Sequence, residues 1–241
     1  MRKAIVSGAN GFVGSAVVKE LISQGYEVYA LVRENHYDQV PINEMVRIVP
    51  FSLENIEALG EVIPINEYEA FYHFAWNGSA GVDRADTALQ LKNAQWTVEC
   101  LQMAKRLGCK RFVPAGSIME HETIAAVYTQ GNRPGAGYIY GSGKVAAHMM
   151  CMSMAVKEGI NLVWPKITNA YGPSERSPRL VNSTIRKCIA GEDPQFTAGT
   201  QNYDFVYIDD VARAFRLIGE KGKPFHHYLI GSGKAKALKE F

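Results

Sequence analysis

An apolar strand that runs straight into three spaced glycines and then into a helix leaves a chain few ways to fold. Ala4-Ile5-Val6 leads into Ser7-Gly8-Ala9-Asn10-Gly11-Phe12-Val13-Gly14, and Ser15-Ala16-Val17-Val18-Lys19-Glu20-Leu21 follows with helical periodicity. The turn between them must reverse direction while leaving backbone N–H groups pointing outward. A helix N-terminus carries partial positive charge, so such a turn suits a pyrophosphate, and glycine avoids the Cβ that would hold the phosphate away. The spacing is G-x-x-G-x-x-G (Gly8, Gly11, Gly14) rather than the more common G-x-G-x-x-G, and a tight βα turn alone would also produce it. The context favours a dinucleotide site, because a second strand, 27–32, follows about twenty residues on.

The rest of the chain alternates between the same two kinds of segment. A helix over 15–24 stops at Gly25, and strand 27–32 ends at Arg33. An acidic residue at that position would bind the adenosine ribose, whereas an arginine accommodates a 2′-phosphate, so Arg33 favours NADP(H) over NAD(H). Strand 46–51 and a helix over 52–60 come next. The apolar run 68–75 reads as a fully buried parallel strand, with His73 packed and hydrogen-bonded inside it rather than catalytic. Trp76-Asn77-Gly78 then opens a loop at the carboxyl end of that strand, where ligands bind in open α/β sheets. A helix over 86–107 places Leu89, Asn93, Trp96, Cys100, Met103 and Leu107 at helical spacing as a packing stripe. Strand 111–115 delivers Gly116-Ser117, 120–137 reads as an irregular surface excursion, and 140–158 is helical again. Strand 160–164, a helix over 180–190 and a strand at 228–230 complete the pattern. Residues 234–241 read as the opening of a helix that does not finish, as in a truncated chain.

This rhythm predicts an α/β fold with a doubly wound parallel sheet. A dinucleotide-binding domain spans 1–165 and a small substrate lobe 166–241, with 204–218 returning to the first domain. The 241 residues are 47% hydrophobic, enough for one sizeable core, and the net charge of +2 comes from mixed signs without a basic run, which argues against nucleic acid. The four cysteines (Cys100, Cys109, Cys151, Cys188) are far apart, as in a reduced cytoplasmic protein, and no metal site is expected. There is no apolar run of membrane-spanning length and no room for a signal peptide before the first strand.

Tyr140 and Lys144 stand at i and i+4 near the start of one helix, so both side chains project from one face. A phenol has a pKa of about 10, and a neighbouring cation favours the phenolate, bringing it towards the range useful for proton transfer. Ser117 arrives from the preceding strand. With these residues in place, the sequence resembles the extended branch of the short-chain dehydrogenase/reductase superfamily, the NAD-dependent epimerase/dehydratase family. The resemblance covers almost the whole chain. It rests on the glycine turn, Phe74-Ala75, Asn93 with Thr97, Arg111-Phe112-Val113 leading to Ser117, and Tyr140 with Lys144. Asn169-Ala170-Tyr171-Gly172-Pro173 and Asp204-Phe205-Val206-Tyr207-Ile208-Asp209-Asp210-Val211-Ala212 complete it.

The resemblance implies a Rossmann fold and catalysis by Ser117, Tyr140 and Lys144. Tyr140 would be the general acid/base, Lys144 would lower its pKa and bind the nicotinamide ribose, and Ser117 would bond the same substrate oxygen. The cofactor would lie on Gly8, Asn10, Gly11, Phe12, Val13, Gly14, Arg33, Phe74, Ala75, Trp76 and Asn93, besides Tyr140 and Lys144. A nucleotide-sugar substrate would meet Trp76, Asn77, Ser117 and Asn169. Three departures narrow the expectation. Ser117 is followed by Ile118-Met119 where 4,6-dehydratases carry Asp-Glu, which disfavours dehydration although Glu120 stands nearby. Ser52 replaces an adenine-contacting Asp. Tyr203 replaces a diphosphate-binding Arg, leaving Arg176, Arg179 or Arg186 to supply that charge. The leading expectation is a 4-ketoreductase of a nucleotide sugar. A C4 epimerase with retained NAD would use the same residues, and a non-catalytic NADP-sensing protein would use the same fold. Family members commonly pair as homodimers through the helices that here hold Asn93 and Tyr140, with the Trp96, Met103 and Met149 stripes as the expected contact.

Overall fold

Alternation of side chains along the central strand is what gives the molecule two cores. In the computed structural model, which describes residues 1–241, strand β1 (Arg2–Ser7) runs into helix α1 (Phe12–Ser23) and then β2 (Tyr26–Val32). β3 (Val46–Pro50), a short α2 (Leu59–Val62), β4 (Ala70–His73), α3 (Thr87–Arg106) and β5 (Arg111–Pro114) follow. Next come β6 (Gly116–Ser117), α4 (Met119–Tyr128), α5 (Ile139–Glu158), β7 (Asn161–Leu162) and β8 (Trp164–Ile167). The parallel sheet has the order β3-β2-β1-β4-β5-β7. Single residues, Ala115 and Val163, separate β5 from β6 and β7 from β8, so the sheet continues through the pair β6-β8.

Both faces are covered, as a parallel sheet requires. Ile5, Leu31, Phe71 and Phe112 point to one side, where Cys100, Met103 and Cys151 of α3 and α5 pack on them. Ala4, Val6, Ala30 and Val113 point to the other side, where they meet Val17 and Leu21 of α1. On that second face also lies α7 (Ile208–Lys221), whose Phe215 is fully buried. Arg216 of α7 bonds Glu20 of α1 at 2.6 Å. Strand β12 (His227–Ile230) pairs in parallel with β8, so the part of the chain that returns to the sheet extends beyond 204–218. The remaining elements, β9 (Asn169–Tyr171), α6 (Leu180–Ile189), β10 (Asn202–Tyr203), β11 (Phe205–Tyr207) and β13 (Lys236–Ala237), lie beyond the carboxyl ends of the strands. There β9 pairs with β11 and β10 with β13. No helix is long and apolar enough to cross a membrane.

The structure corrects several sequence expectations. Residues 119–128 form a helix instead of an irregular excursion, because this stretch contains no glycine or proline before Gly131 and buries Glu120, Thr123 and Ala126. Residues 52–60 begin as a 3₁₀ helix (Leu53–Ala58), interrupted where Asn55 leaves helical geometry. The last residues make β13 and a 3₁₀ turn rather than an α-helix, and the Phe241 ring packs edge-on against Phe205 at 4.9 Å. Trp96 and Met103, expected to show exposed parts at a subunit contact, are buried within the chain, whereas Met149 and Met150 are exposed.

His73 is fully enclosed, with Nδ1 2.7 Å from Ser7 Oγ and Nε2 3.4 Å from Thr97 Oγ1. Burial, with Lys144 nearby, pushes its pKa down from the ordinary 6.5 to about 3. The unfolded chain therefore takes up a proton here that the folded chain refuses. Stability present above pH 6.5 is lost as the pH falls towards 3, by up to about 1.4 kcal/mol per pH unit from this group. In denaturant unfolding between pH 4 and 7, His73→Gln should show a shallower slope than the parent. An unchanged slope would mean that His73 is not held neutral.

Candidate active site

The glycine turn is shaped by contacts that leave no room for side chains. Gly8 has φ +66°, and a Cβ there would lie 2.7 Å from the Ala75 nitrogen; one on Gly14 would lie 2.1 Å from the Gly8 carbonyl oxygen. Gly11 caps α1 without a side chain, so the N–H groups of the first turn, beginning at Phe12, Val13 and Gly14, have no side-chain partner. Such a helix start takes a phosphate, and these residues fit a dinucleotide. The Asn10 carboxamide ties down the loop after β2, donating to Asp38 at 2.9 Å and accepting from the Gln39 N–H at 2.7 Å. Arg33, the first residue after β2, is exposed.

The end of β4 is held from α3 by a polar stripe one turn apart. Thr97 approaches His73, Asn93 brackets the Asn77 peptide, accepting from its N–H and donating to its carbonyl, and Gln90 accepts from Trp76 Nε1 at 2.8 Å. Asn93 also donates to Leu89 O and is buried, so its carboxamide is engaged in fixing the Asn77 loop. Phe74 packs edge-on against Phe215 at 4.8 Å, and the Ala75 N–H donates to Ser7 Oγ at 3.4 Å.

Tyr140 and Lys144, in the first turns of α5, are both buried. Lys144 Nζ donates to Ala115 O at 2.9 Å and lies 3.5 Å from the centre of the Trp76 ring. Burial brings its pKa down to about 7. The Tyr140 ring is edge-on to Trp76 at 6.0 Å, and the Arg84 guanidinium carbon stands 4.1 Å from its centroid. Burial pushes the Tyr140 phenol up, and Arg84, Arg179 and the Ser117 hydroxyl pull in the opposite direction. Ser117, Tyr140, Asn169, Arg84, Arg179 and Tyr203 share one cavity of about 530 Å³. Of the three arginines considered for the missing diphosphate contact, only Arg179 lines it. Arg176 pairs with Asp38, and Arg186 donates to the Glu175 carbonyl.

Comparison with known proteins matches residues 4–231 to the model of the NAD dependent epimerase/dehydratase family. The chain is 27% identical over 255 residues to CDP-abequose synthase of Salmonella muenchen, covering 99% of this chain and 78% of that protein. It is 26% identical over 246 residues to dTDP-6-deoxy-L-talose 4-dehydrogenase (NAD(+)) of Aggregatibacter actinomycetemcomitans, covering 98% and 86%. A UDP-N-acetylglucosamine 4-epimerase from Methanobrevibacter ruminantium, solved with UDP-N-acetylmuramic acid, superposes with a TM-score of 0.82. That match has 19% identity and covers 99% of this chain and 79% of the other.

Sequence reasoning missed what Glu120 does. Its carboxylate is buried behind Ser117, not in the cavity, and accepts from the Ser117 N–H (2.9 Å), Trp164 Nε1 (3.0 Å) and His148 Nδ1 (2.9 Å), with Lys166 Nζ at 3.3 Å. The His148 ring stacks on Trp164 at 4.3 Å. Burial alone would raise the carboxyl pKa, but the bonds from His148, Trp164 and Ser117, together with Lys166, outweigh it and hold it below the usual range. Stability from this group is therefore present above the ordinary carboxylate range and is lost as the pH falls through the lowered value. Glu120→Gln should cost about 3–5 kcal/mol at pH 7, because Lys166 is left without its charge partner. It should also flatten the acid side of the stability profile. A loss below about 1 kcal/mol in denaturant unfolding would show that the cluster is worth no more than a surface pair.

Proposed function

The chain belongs to the NAD-dependent epimerase/dehydratase family, and from that premise we propose that it is an NAD(P)-dependent oxidoreductase acting at a secondary alcohol or ketone of a nucleotide sugar, as a 4-ketoreductase. The observation that carries this reading is the meeting of Ser117 and Tyr140 in one cavity, with Lys144 directly behind them. A dinucleotide held by its pyrophosphate at the glycine turn would supply the hydride from its nicotinamide. Tyr140 gives its phenolic proton to the substrate oxygen as charge develops there, and Ser117 Oγ donates a hydrogen bond to the same atom. Lys144, with its pKa near neutrality, favours the phenolate and restores the proton. Asn169 and Arg179 would hold the substrate, its diphosphate reaching Arg179, and Trp76 with Asn77 would line the sugar pocket, Trp76 standing beside the cofactor as well.

Gly8, Asn10, Gly11, Phe12, Val13 and Gly14 cradle the pyrophosphate in this reading, and Phe74 and Ala75 close the cofactor side. Asn93 acts through the Asn77 loop it holds. Arg33 favours NADP(H), although the 4-dehydrogenase relative carries NAD(+) in its name. Both relatives compared by sequence are named for nucleotide-linked sugars, CDP- and dTDP-linked. Glu120 faces away from the cavity, engaged with four partners, which supports reduction over dehydration. We assign the cofactor to 1–165 and the substrate to the part of 166–241 that does not return to the sheet. The apolar groove between α3 and α5, with exposed Leu91, Met149 and Met150, is the face we assign to homodimer contact. Its buried cysteines as free thiols suit a cytoplasmic location.

The second reading is a C4 epimerase with retained NAD, for which the fold likeness to a 4-epimerase speaks. Mass spectrometry of small molecules released from freshly purified, denatured protein separates the two. Exchangeable or absent dinucleotide supports the reductase, and near-stoichiometric NAD supports the epimerase. Tyr140→Phe should lower turnover of a nucleotide 4-keto sugar by roughly 10²–10⁴-fold while leaving NADPH binding largely intact. Activity that survives the substitution contradicts the proton-transfer role. A parent protein that binds NADPH and turns over no nucleotide 4-keto sugar would instead support the reading of a non-catalytic NADP-sensing protein.

A further inference from the structure

Arg84 belongs to none of the motifs that mark the family resemblance, yet it makes the closest cationic contact with the Tyr140 ring. It lies in the 3₁₀ turn Val82–Ala85 that follows the Asn77 loop. Its guanidinium carbon is 4.1 Å from the centre of that ring, against 5.8 Å for Lys144 Nζ. Half-buried in the cavity, the guanidinium makes one hydrogen bond within the protein, from Nη1 to Ser79 O at 3.1 Å. The groups around Tyr140 come from several elements. Lys144 is on its own helix, Ser117 on β6, Glu122 at the cavity wall on α4, Arg179 just before α6, and Trp76 and Arg84 follow β4. Glu120 of α4, turned away from the cavity, acts on the phenol only through its charge.

Among these, Lys144 is committed to the Ala115 carbonyl and the Trp76 face, and in its buried site it shares its proton with solvent near neutrality. An arginine does not give up its charge in a protein. A cation over the face of a phenol is attracted to the ring, and the attraction grows when the ring loses its proton and becomes negative. We propose that Arg84 is a positioning residue of the site, stacked on Tyr140 so as to favour its phenolate and to hold the ring against Trp76 for proton exchange with the substrate oxygen. The inference rests on the reading of Tyr140 as the proton-transferring residue, and it divides the electrostatic task between a permanent cation and one that titrates.

The test reads the phenol directly and needs no substrate. In the protein labelled with carbon-13 at tyrosine Cζ, the Tyr140 resonance is identified by its loss in Tyr140→Phe and followed by NMR up to the alkaline limit of folding. In Arg84→Met its titration should move to higher pH by roughly half a unit to one unit, the equivalent of about 0.7–1.4 kcal/mol of extra attraction of the guanidinium to the phenolate over the phenol. Arg84→Lys should restore part of the shift, and the resonances of Tyr171 and Tyr203 should stay where they are. If Arg84→Met does not fold, Arg84→Gln serves with the same expectation. A Tyr140 titration that is the same with and without the guanidinium overturns the proposal. Because no turnover is measured, that result is distinct from failure of the ketoreductase reading, which would show as full activity in Tyr140→Phe.

Discussion

A Cβ on Gly8 would fall 2.7 Å from the Ala75 nitrogen, and the site depends on that closeness. With no side chain in between, the end of β1 lies against the end of β4, and Ser7 Oγ can reach both the Ala75 N–H and His73. From His73 the contact passes to Thr97 of α3, and the same helix face then fixes Asn77 through Asn93 and Trp76 through Gln90. Trp76 in turn receives Lys144 on its ring. A turn suited to phosphate and a buried lysine–tyrosine pair are thereby placed at fixed positions on one sheet edge, as proximity catalysis requires.

The electrostatics follow from burial. Lys144, Tyr140 and Glu120 are all nearly inaccessible, and each is treated differently by its neighbours. Lys144 is brought down to about 7, and Tyr140 is pushed up against the pull of Arg84 and Arg179. Glu120 stays ionised because donors surround it. A low-dielectric pocket makes each of these terms larger than on a surface, so a single cation above the phenol has more effect there than a second surface charge would.

How much of this the sequence discloses depends on how local each feature is. The glycine turn is legible because positive φ and close approach demand glycine at fixed spacing. Tyr140 and Lys144 are legible because i, i+4 spacing puts them on one face. The polar stripe of α3 is only half legible: Asn93 stands out at helical spacing, but a polar residue on a packing face can serve a ligand or a neighbouring loop, and the spacing is the same for both. The Glu120 cluster draws His148 from α5 and Trp164 and Lys166 from β8, partners that come together only in the folded chain. Helix α4 is masked because its buried residues, Glu120, Thr123 and Ala126, are mostly polar while Ile124, Val127 and Tyr128 are exposed, so its apolar residues mark no core-facing stripe. The final residues read as helix by propensity, but packing of Phe241 on Phe205 and pairing of β13 with β10 decide otherwise.

The measurement that bears most directly on the central claim is transfer of label from the cofactor. The protein is incubated with NADPH carrying deuterium at nicotinamide C4 and with CDP-, dTDP- and UDP-linked 4-keto-6-deoxy sugars, and the products are read by mass spectrometry and NMR. The account predicts deuterium at sugar C4 in one of the three, with matching loss of NADPH. A sugar product that carries no deuterium, formed without NADPH loss, would contradict it.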